Sequence, residues 1–117
     1  MPLNKRAVIE VTSENIWFTE RYLNLFDILE LFPADAISPD EGKRGIPIVL
    51  KTDLGFDISS DIEHTKLQLR NRSKHHGWMR WTNEKSLQAG DRIVLEKIGN
   101  REFLLTLERI PSKQIPF

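Results

Sequence analysis

Arg92-Ile-Val-Leu-Glu-Lys-Ile-Gly-Asn-Arg-Glu-Phe-Leu-Leu-Thr-Leu-Glu-Arg-Ile110 decides the fold. Apolar residues recur at alternate positions on both sides of Gly99-Asn100, which is the period of a strand, and Gly-Asn supplies a tight turn. The reading is an antiparallel hairpin, Arg92 to Ile98 and Glu102 to Ile110, with Ile93 and Leu95 facing Phe103, Leu105 and Leu107 across a core. Further strands extend outward from it. Ala7-Val-Ile-Glu-Val-Thr12 is short and β-branched. Ile46-Pro-Ile-Val-Leu50 reads as a strand whose Pro47 sets its start at an edge. Asp53-Leu-Gly55 makes a turn, after which Phe56, Ile58 and (less cleanly) Ser60 alternate, as do Leu67 and Leu69. One helix is expected where Leu25, Ile28, Leu29 and Phe32 form an apolar stripe, with Asn24 as cap and Pro33 as stop. A second, one-turn helix runs from a Thr82 or Asn83 cap through Leu87 and ends at Gly90. Many short strands with only two helices favour a small β-barrel over a parallel sheet. Gly90 and Asp91 read as a turn, and Pro111 onward as a tail or linker.

The totals bound the function. The 117 residues are one domain's worth, and 17 basic side chains balance 17 acidic ones. Net charge therefore does not drive the chain to nucleic acid or to an anionic membrane. There is no cysteine, which excludes disulfides, zinc-thiolate sites and a thiol nucleophile. Met1-Pro-Leu-Asn-Lys-Arg6 has no apolar run behind it, and no stretch approaches the ~18 apolar residues of a membrane span. The expectation is one soluble, intracellular domain.

Local patterning is more informative than the totals. Lys66 to Asn83 contains no carboxylate, yet carries Lys66, Arg70, Arg72, Lys74 and Arg80 with His75, His76, Trp78 and Trp81 between them. Asp27, Glu30, Asp35, Asp40 and Glu41 make the first third acidic by contrast. A basic, aromatic, acid-free segment is the footprint that a phosphate backbone requires.

Gly77-Trp-Met-Arg-Trp-Thr-Asn-Glu-Lys-Ser-Leu-Gln-Ala-Gly-Asp-Arg-Ile-Val94 resembles the signature of the B3 DNA-binding pseudobarrel. Trp78, Trp81, Leu87, Gly90 and Asp91 occupy the signature's glycine-tryptophan, aromatic, leucine and glycine-aspartate places. Phe32-Pro-Ala-Asp-Ala-Ile37, Glu14-Asn-Ile16 and Ser60-Asp-Ile62 add to a likeness with bacterial B3-like modules, the recognition domains of restriction endonucleases of the EcoRII N-terminal type. The resemblance spans about Val8 to Ile110. It implies a mainly β chain, a seven-stranded open β-barrel with two short helices, folded as one domain over 1–117. It also implies two arms that grip the major groove, at about Ser13 to Arg21 and Ser60 to Lys66, flanked by basic residues on the backbone. The sequence departs from the family pattern by the longer Asn71-Arg-Ser-Lys-His-His76 insert.

Residue types in these arms suit groove readout. Arginine offers two donors to guanine, asparagine or glutamine pairs with adenine, and a carboxylate accepts from cytosine. The candidates are Asn15, Trp17, Thr19 and Arg21 on the first arm, and Ser60, Asp61, Glu63, His64 and Gln68 on or beside the second. Lys66, Arg70, Arg72 and Lys74 would neutralise phosphates. Plainer readings stand beside these. Trp78 and Trp81 are more often core than contact, Asn15 is equally a turn residue, Asp61 equally a capping carboxylate, and a plain solvated face is the lesser reading of the basic run. Adjacent His75 and His76 point to opposite faces of a strand, so no metal is expected. Asp53, Asp57 and Asp61 at every fourth residue of a strand lie ~13 Å apart, too far to share an ion. No nuclease constellation, phosphate loop or nucleophile motif is present.

The expectation is therefore a non-enzymatic domain without cofactor or metal, binding double-stranded DNA sequence-specifically as a monomer in a prokaryotic cytoplasm. Any catalysis would sit on a separate domain. Two alternatives remain open: a stand-alone transcriptional regulator of swapped-hairpin type, or a protein-interaction module using the acidic region from Asp27 to Glu41.

Overall fold

A computed structural model describes residues 5–40, 42–70 and 77–109. The chain is mainly β, with seven strands in two sheets among the described residues. In chain order they are β1 (Arg6–Glu10), β2 (Ile48–Thr52), β3 (Asp57–Ser60), β4 (Ile62–Glu63), β5 (Gln68–Leu69), β6 (Arg92–Lys97) and β7 (Glu102–Glu108). Two α-helices, α1 (Ile16–Thr19) and α2 (Trp78–Lys85), and two 3-10 helices, Phe26–Leu31 and Ala34–Ala36, complete it. The larger sheet has the order β1-β6-β7-β2-β3; β2 and β7 run parallel and its other neighbours antiparallel. β4 and β5 form a separate antiparallel pair.

The hairpin sits at the centre of this sheet. Ile93 pairs with Leu107, Leu95 with Leu105 and Lys97 with Phe103, so one face of the hairpin carries Ile93, Leu95, Phe103 and Leu105 into the core, all fully buried, with Leu107 partly so. Alternation fixes this register, because a slip of one residue would turn the whole apolar set to solvent. Trp78 and Trp81 are fully buried beside them with ring centroids 5.3 Å apart, and Phe32 lies 4.8 Å from Phe103.

Three elements differ from the sequence expectation. The stripe from Leu25 to Phe32 is a 3-10 helix with non-helical backbone at Ile28. Asn24 does hold its start, accepting the Phe26 N–H at 2.9 Å. However, Leu25 N–H bonds the Leu67 carbonyl at 2.9 Å, and Pro33 closes the far end. Too few residues remain between these constraints for an α-helix to propagate. The second helix begins at Trp78 rather than at Thr82 or Asn83, because Trp78, Trp81 and Thr82 share one buried face at helical spacing. It stops at Ser86, whose φ of 52° is left-handed. The strand expected over Ile46 to Leu50 starts after Pro47, at Ile48, and β2 lies inside the sheet between β7 and β3 instead of at an edge. Ile46 N–H is taken instead by the Asp35 carbonyl at 2.8 Å. No helix among the described residues is long and apolar enough to cross a membrane.

Candidate nucleic-acid interface

The first arm begins in a reciprocal turn. Asn15 Oδ1 accepts the Thr12 N–H at 2.8 Å, Thr12 Oγ1 accepts the Asn15 N–H at 3.1 Å, and Asn15 Nδ2 donates to the Glu10 carbonyl at 2.9 Å. Asn15 therefore builds the turn into α1, and its amide is not presented for reading a base. From α1 two candidates point in opposite directions. Trp17 is 63% exposed, whereas the Thr19 side chain is buried. Thr19 contributes through its carbonyl, which accepts Trp78 Nε1–H at 2.7 Å, and the Glu20 carbonyl accepts Thr82 Oγ1–H at 2.7 Å. Two bonds from α2 thus anchor the end of α1. Arg21 lies over the Trp17 ring at 4.2 Å and donates through Nη1 to the Trp17 carbonyl at 2.7 Å, making one cationic, aromatic surface.

The second arm is a tight turn between β4 and β5. Glu63 Oε1 accepts the Lys66 N–H at 2.7 Å, and Leu67 N–H returns to the Glu63 carbonyl at 2.8 Å with a left-handed φ of 55° at Leu67. The Lys66 N–H holds the Glu63 carboxyl below the usual carboxylate range. Ser60 is buried and donates to the Arg70 carbonyl at 2.6 Å. Asp61 is fully buried and accepts Arg70 Nε–H at 2.8 Å, Arg70 Nη2–H at 3.3 Å and the Gly45 N–H at 2.9 Å. That last contact needs glycine, since a Cβ at Gly45 would overlap the Ala36 carbonyl. His64 is hydrogen-bonded to Ser38 through both its backbone N–H and its Nδ1, each at 3.1 Å. Ser60, Asp61 and His64 are therefore parts of the arm's frame, in contrast to the expectation that they read bases.

A short bridge joins the two arms. Asn24 pairs with Gln68, and Leu69 N–H donates to the Leu23 carbonyl at 3.0 Å. As a result Tyr22, Glu63, Lys66, Gln68, Leu69 and Arg70 line one shallow depression. Tyr22 touches Phe18 of α1 at 5.2 Å between ring centroids, which links the depression to the Trp17–Arg21 surface. Of the expected residues, this arrangement brings together Glu63, Lys66, Gln68 and Arg70, with Trp17 and Arg21 beside them. Tyr22 was missed, although a half-exposed aromatic directly after Arg21 was the available signal. Arg72, Lys74, His75 and His76 lie outside the described residues.

The described residues of the acid-free run do not form one face. Trp78 and Trp81 are core, and Arg80 stacks over Phe56 at 4.0 Å while pairing with Glu84 at 3.4 Å. Elsewhere Lys51, Lys85 and Arg109 are held by Asp57, Asp53 and Asp91, at 3.6, 2.7 and 2.8 Å. Lys66 has no carboxylate within ion-pair distance among the described residues, so its charge is available to a ligand. The three spaced aspartates are separated in function. Asp53 holds Lys85 and Trp81, Asp57 holds Lys51, and Asp61 holds Arg70. Among the described residues no three acidic, histidine or cysteine side chains converge to hold a metal.

No family model matches the sequence, and no curated protein matches it. Among solved structures, that of a hypothetical protein of Arabidopsis thaliana matches with a TM-score of 0.58 at 17% sequence identity, covering 91% of each chain. At that identity the likeness is one of fold alone.

Proposed function

We propose that the chain is a B3-like pseudobarrel domain that binds double-stranded DNA sequence-specifically through the major groove, as the recognition module of a prokaryotic restriction endonuclease. In this reading the two sheets are the parts of one seven-stranded open barrel, the chain passing from β3 to β4 through Asp61, and the Asn24–Gln68 and Ile37–Ile62 bridges tie the β4–β5 pair to the segments that precede β2. The observation that carries the proposal is the convergence of the arms. Lys66, Gln68 and Arg70 of the second arm share one depression with Tyr22, at the exit of the first arm, and Trp17 and Arg21 stack on each other in the segment that leads into Tyr22. Lys66 supplies charge for a phosphate, Gln68 an amide of the kind that pairs with adenine, and Arg21 a guanidinium beside an aromatic plane, while Arg70 is paired with Asp61. No cofactor or metal enters the binding, one domain occupies one site, and any cleavage belongs to another domain.

Fluorescence anisotropy on a randomised duplex pool at two salt concentrations, with sequencing of the retained fraction, tests this. An enriched motif of a few base pairs with salt-sensitive affinity is expected. Absence of binding at low salt would reduce the resemblance to fold alone.

A further inference from the structure

β1 is an edge strand, and its hydrogen-bonding parity shows which of its groups face away from the sheet. The Lys5 carbonyl accepts from Lys97 N–H at 2.7 Å, and Val11 N–H donates to the Asp91 carbonyl at 2.9 Å. Backbone groups of a strand alternate sides every residue, so residues 5, 7, 9 and 11 turn toward β6, and Arg6, Val8 and Glu10 turn their N–H and C=O outward. Asn15 Nδ2 occupies the Glu10 carbonyl from the outer side, as this parity requires. The Val8 pair is left facing a cavity of about 380 Å³. Val8 and Glu10 form one wall of it, and Phe18, Tyr22, Asp27 and Ile28 line the other. Two acidic residues, Glu10 and Asp27, line this cavity, and among the described residues no cationic one does. Arg92 lies 3.9 Å from Glu10.

We propose that this groove is a strand-addition site for an extended peptide segment of a partner protein, carrying basic side chains in alternation with apolar ones. The outward N–H and C=O of Val8 would extend the sheet by pairing with the peptide backbone. Alternation then places every second peptide side chain between Glu10 and Asp27, where a cation is favoured, and the others against Phe18 and Ile28. A duplex is disfavoured here, because two carboxylates repel phosphates. The inference does not rest on the proposed DNA reading; the groove lies along β1 and the depression between the arms along β5, with Tyr22 lining both.

The probe is the acetylated, amidated heptapeptide Val-Arg-Val-Arg-Val-Arg-Val, with two controls: the same peptide with Glu for Arg, and one N-methylated at alternate residues. Binding is followed by backbone amide shifts and amide hydrogen exchange. The arginine peptide should slow exchange of the Val8 amide at least tenfold at saturation, while both controls should bind at least tenfold more weakly. Asp27→Asn and Glu10→Gln should each weaken the arginine peptide severalfold. Val8→Pro, which removes only an outward N–H, should abolish binding with the β1–β6 ladder intact; should that variant fail to fold, Asp27→Asn carries the test. Unchanged Val8 exchange with peptide bound, equal binding of the glutamate peptide, or no binding at 1 mM would overturn the proposal. Displacement of the peptide by duplex DNA that persists in a variant whose depression is disabled by Lys66→Ala and Gln68→Ala would likewise overturn it and assign the groove to nucleic acid.

Discussion

Asp61→Asn is the substitution that best tests the frame beneath the second arm. The carboxylate has no exposure and takes at least three donors, among them two from the Arg70 fork and one from the Gly45 N–H. An asparagine of the same shape offers one oxygen and an NH₂ group, which then meets a donor on one of the two sides. Removing one partner of a buried ion pair costs about 3–5 kcal/mol. The Arg70 side chain is 30% exposed, so water can rehydrate the abandoned guanidinium and the lower end applies, about 3 kcal/mol. For a chain of this length that lowers Tm by about 10 °C or more. Thermal and urea unfolding followed by circular dichroism measure it. Replacing both partners together, as Asp61→Asn with Arg70→Met, should recover part of the loss, because the amide oxygen can keep the Gly45 N–H while the NH₂ no longer faces the guanidinium donors. A single variant within about 0.5 kcal/mol of the natural chain would refute the reasoning.

Other outcomes follow from the same geometry. Hydrogen bonds from Arg109 lower the Asp91 carboxyl below its ordinary value of 3.8, and Asp53, despite burial that pushes it up, is held down by Lys85 and Trp81. Because the folded values lie below the unfolded ones, the stabilisation is present above about pH 4 and is lost as pH falls through the folded values. Asp91→Asn should therefore lower the urea midpoint at pH 7, and the gap to the natural chain should narrow below pH 4; a gap independent of pH would contradict the linkage. Of the three tryptophans only Trp17 is exposed, so iodide should quench its emission alone, and bound duplex should shield it; quenching unaffected by DNA would remove α1 from the interface. Lys66→Ala should reduce the slope of log affinity against log salt by about 0.9, one phosphate contact, while Arg80→Ala, stacked on Phe56, should leave it unchanged. The reverse pattern would move the phosphate track to α2.

The hairpin was legible because a period of two needs no tertiary information: Ile93, Leu95, Phe103 and Leu105 declare their face in the chain itself. The helices were less so. Leu25 to Phe32 has a helical stripe, yet Leu25 is committed to Leu67, a contact forty residues away that no local pattern reveals. The opposite error occurred at α2, where Trp78, Trp81 and Thr82 carried the helical period but Thr82 and Asn83 were read as the helix cap. The site was half legible for a chemical reason. Asn, Thr, Ser and Asp read bases and build turns with the same atoms, so Asn15, Thr19, Ser60 and Asp61 qualified on type and were excluded only by their partners. Long cationic and amide side chains have fewer framework roles, and Arg21, Lys66, Gln68 and Arg70 remained candidates.

The same fact explains why a core helix and a candidate interface share one stretch of sequence. Trp78 fills the core with its ring and holds α1 with its Nε1–H, so the residue that defines the fold also fixes where Trp17 and Arg21 stand. Thr82 repeats the arrangement one turn later through Glu20. On the other side Asn24 and Gln68 tie the exit of the first arm to β5, while Asp61 ties Arg70 to the Gly45 loop. Each arm is thus held by bonds that reach into separate parts of the core, and neither has to be ordered when a ligand arrives. A surface fixed in this way loses little conformational entropy on binding, and more of its contact energy is left to distinguish one ligand from another. Selectivity then rests on a handful of exposed side chains, and it fails if the buried carbonyls and carboxylates beneath them lose their partners.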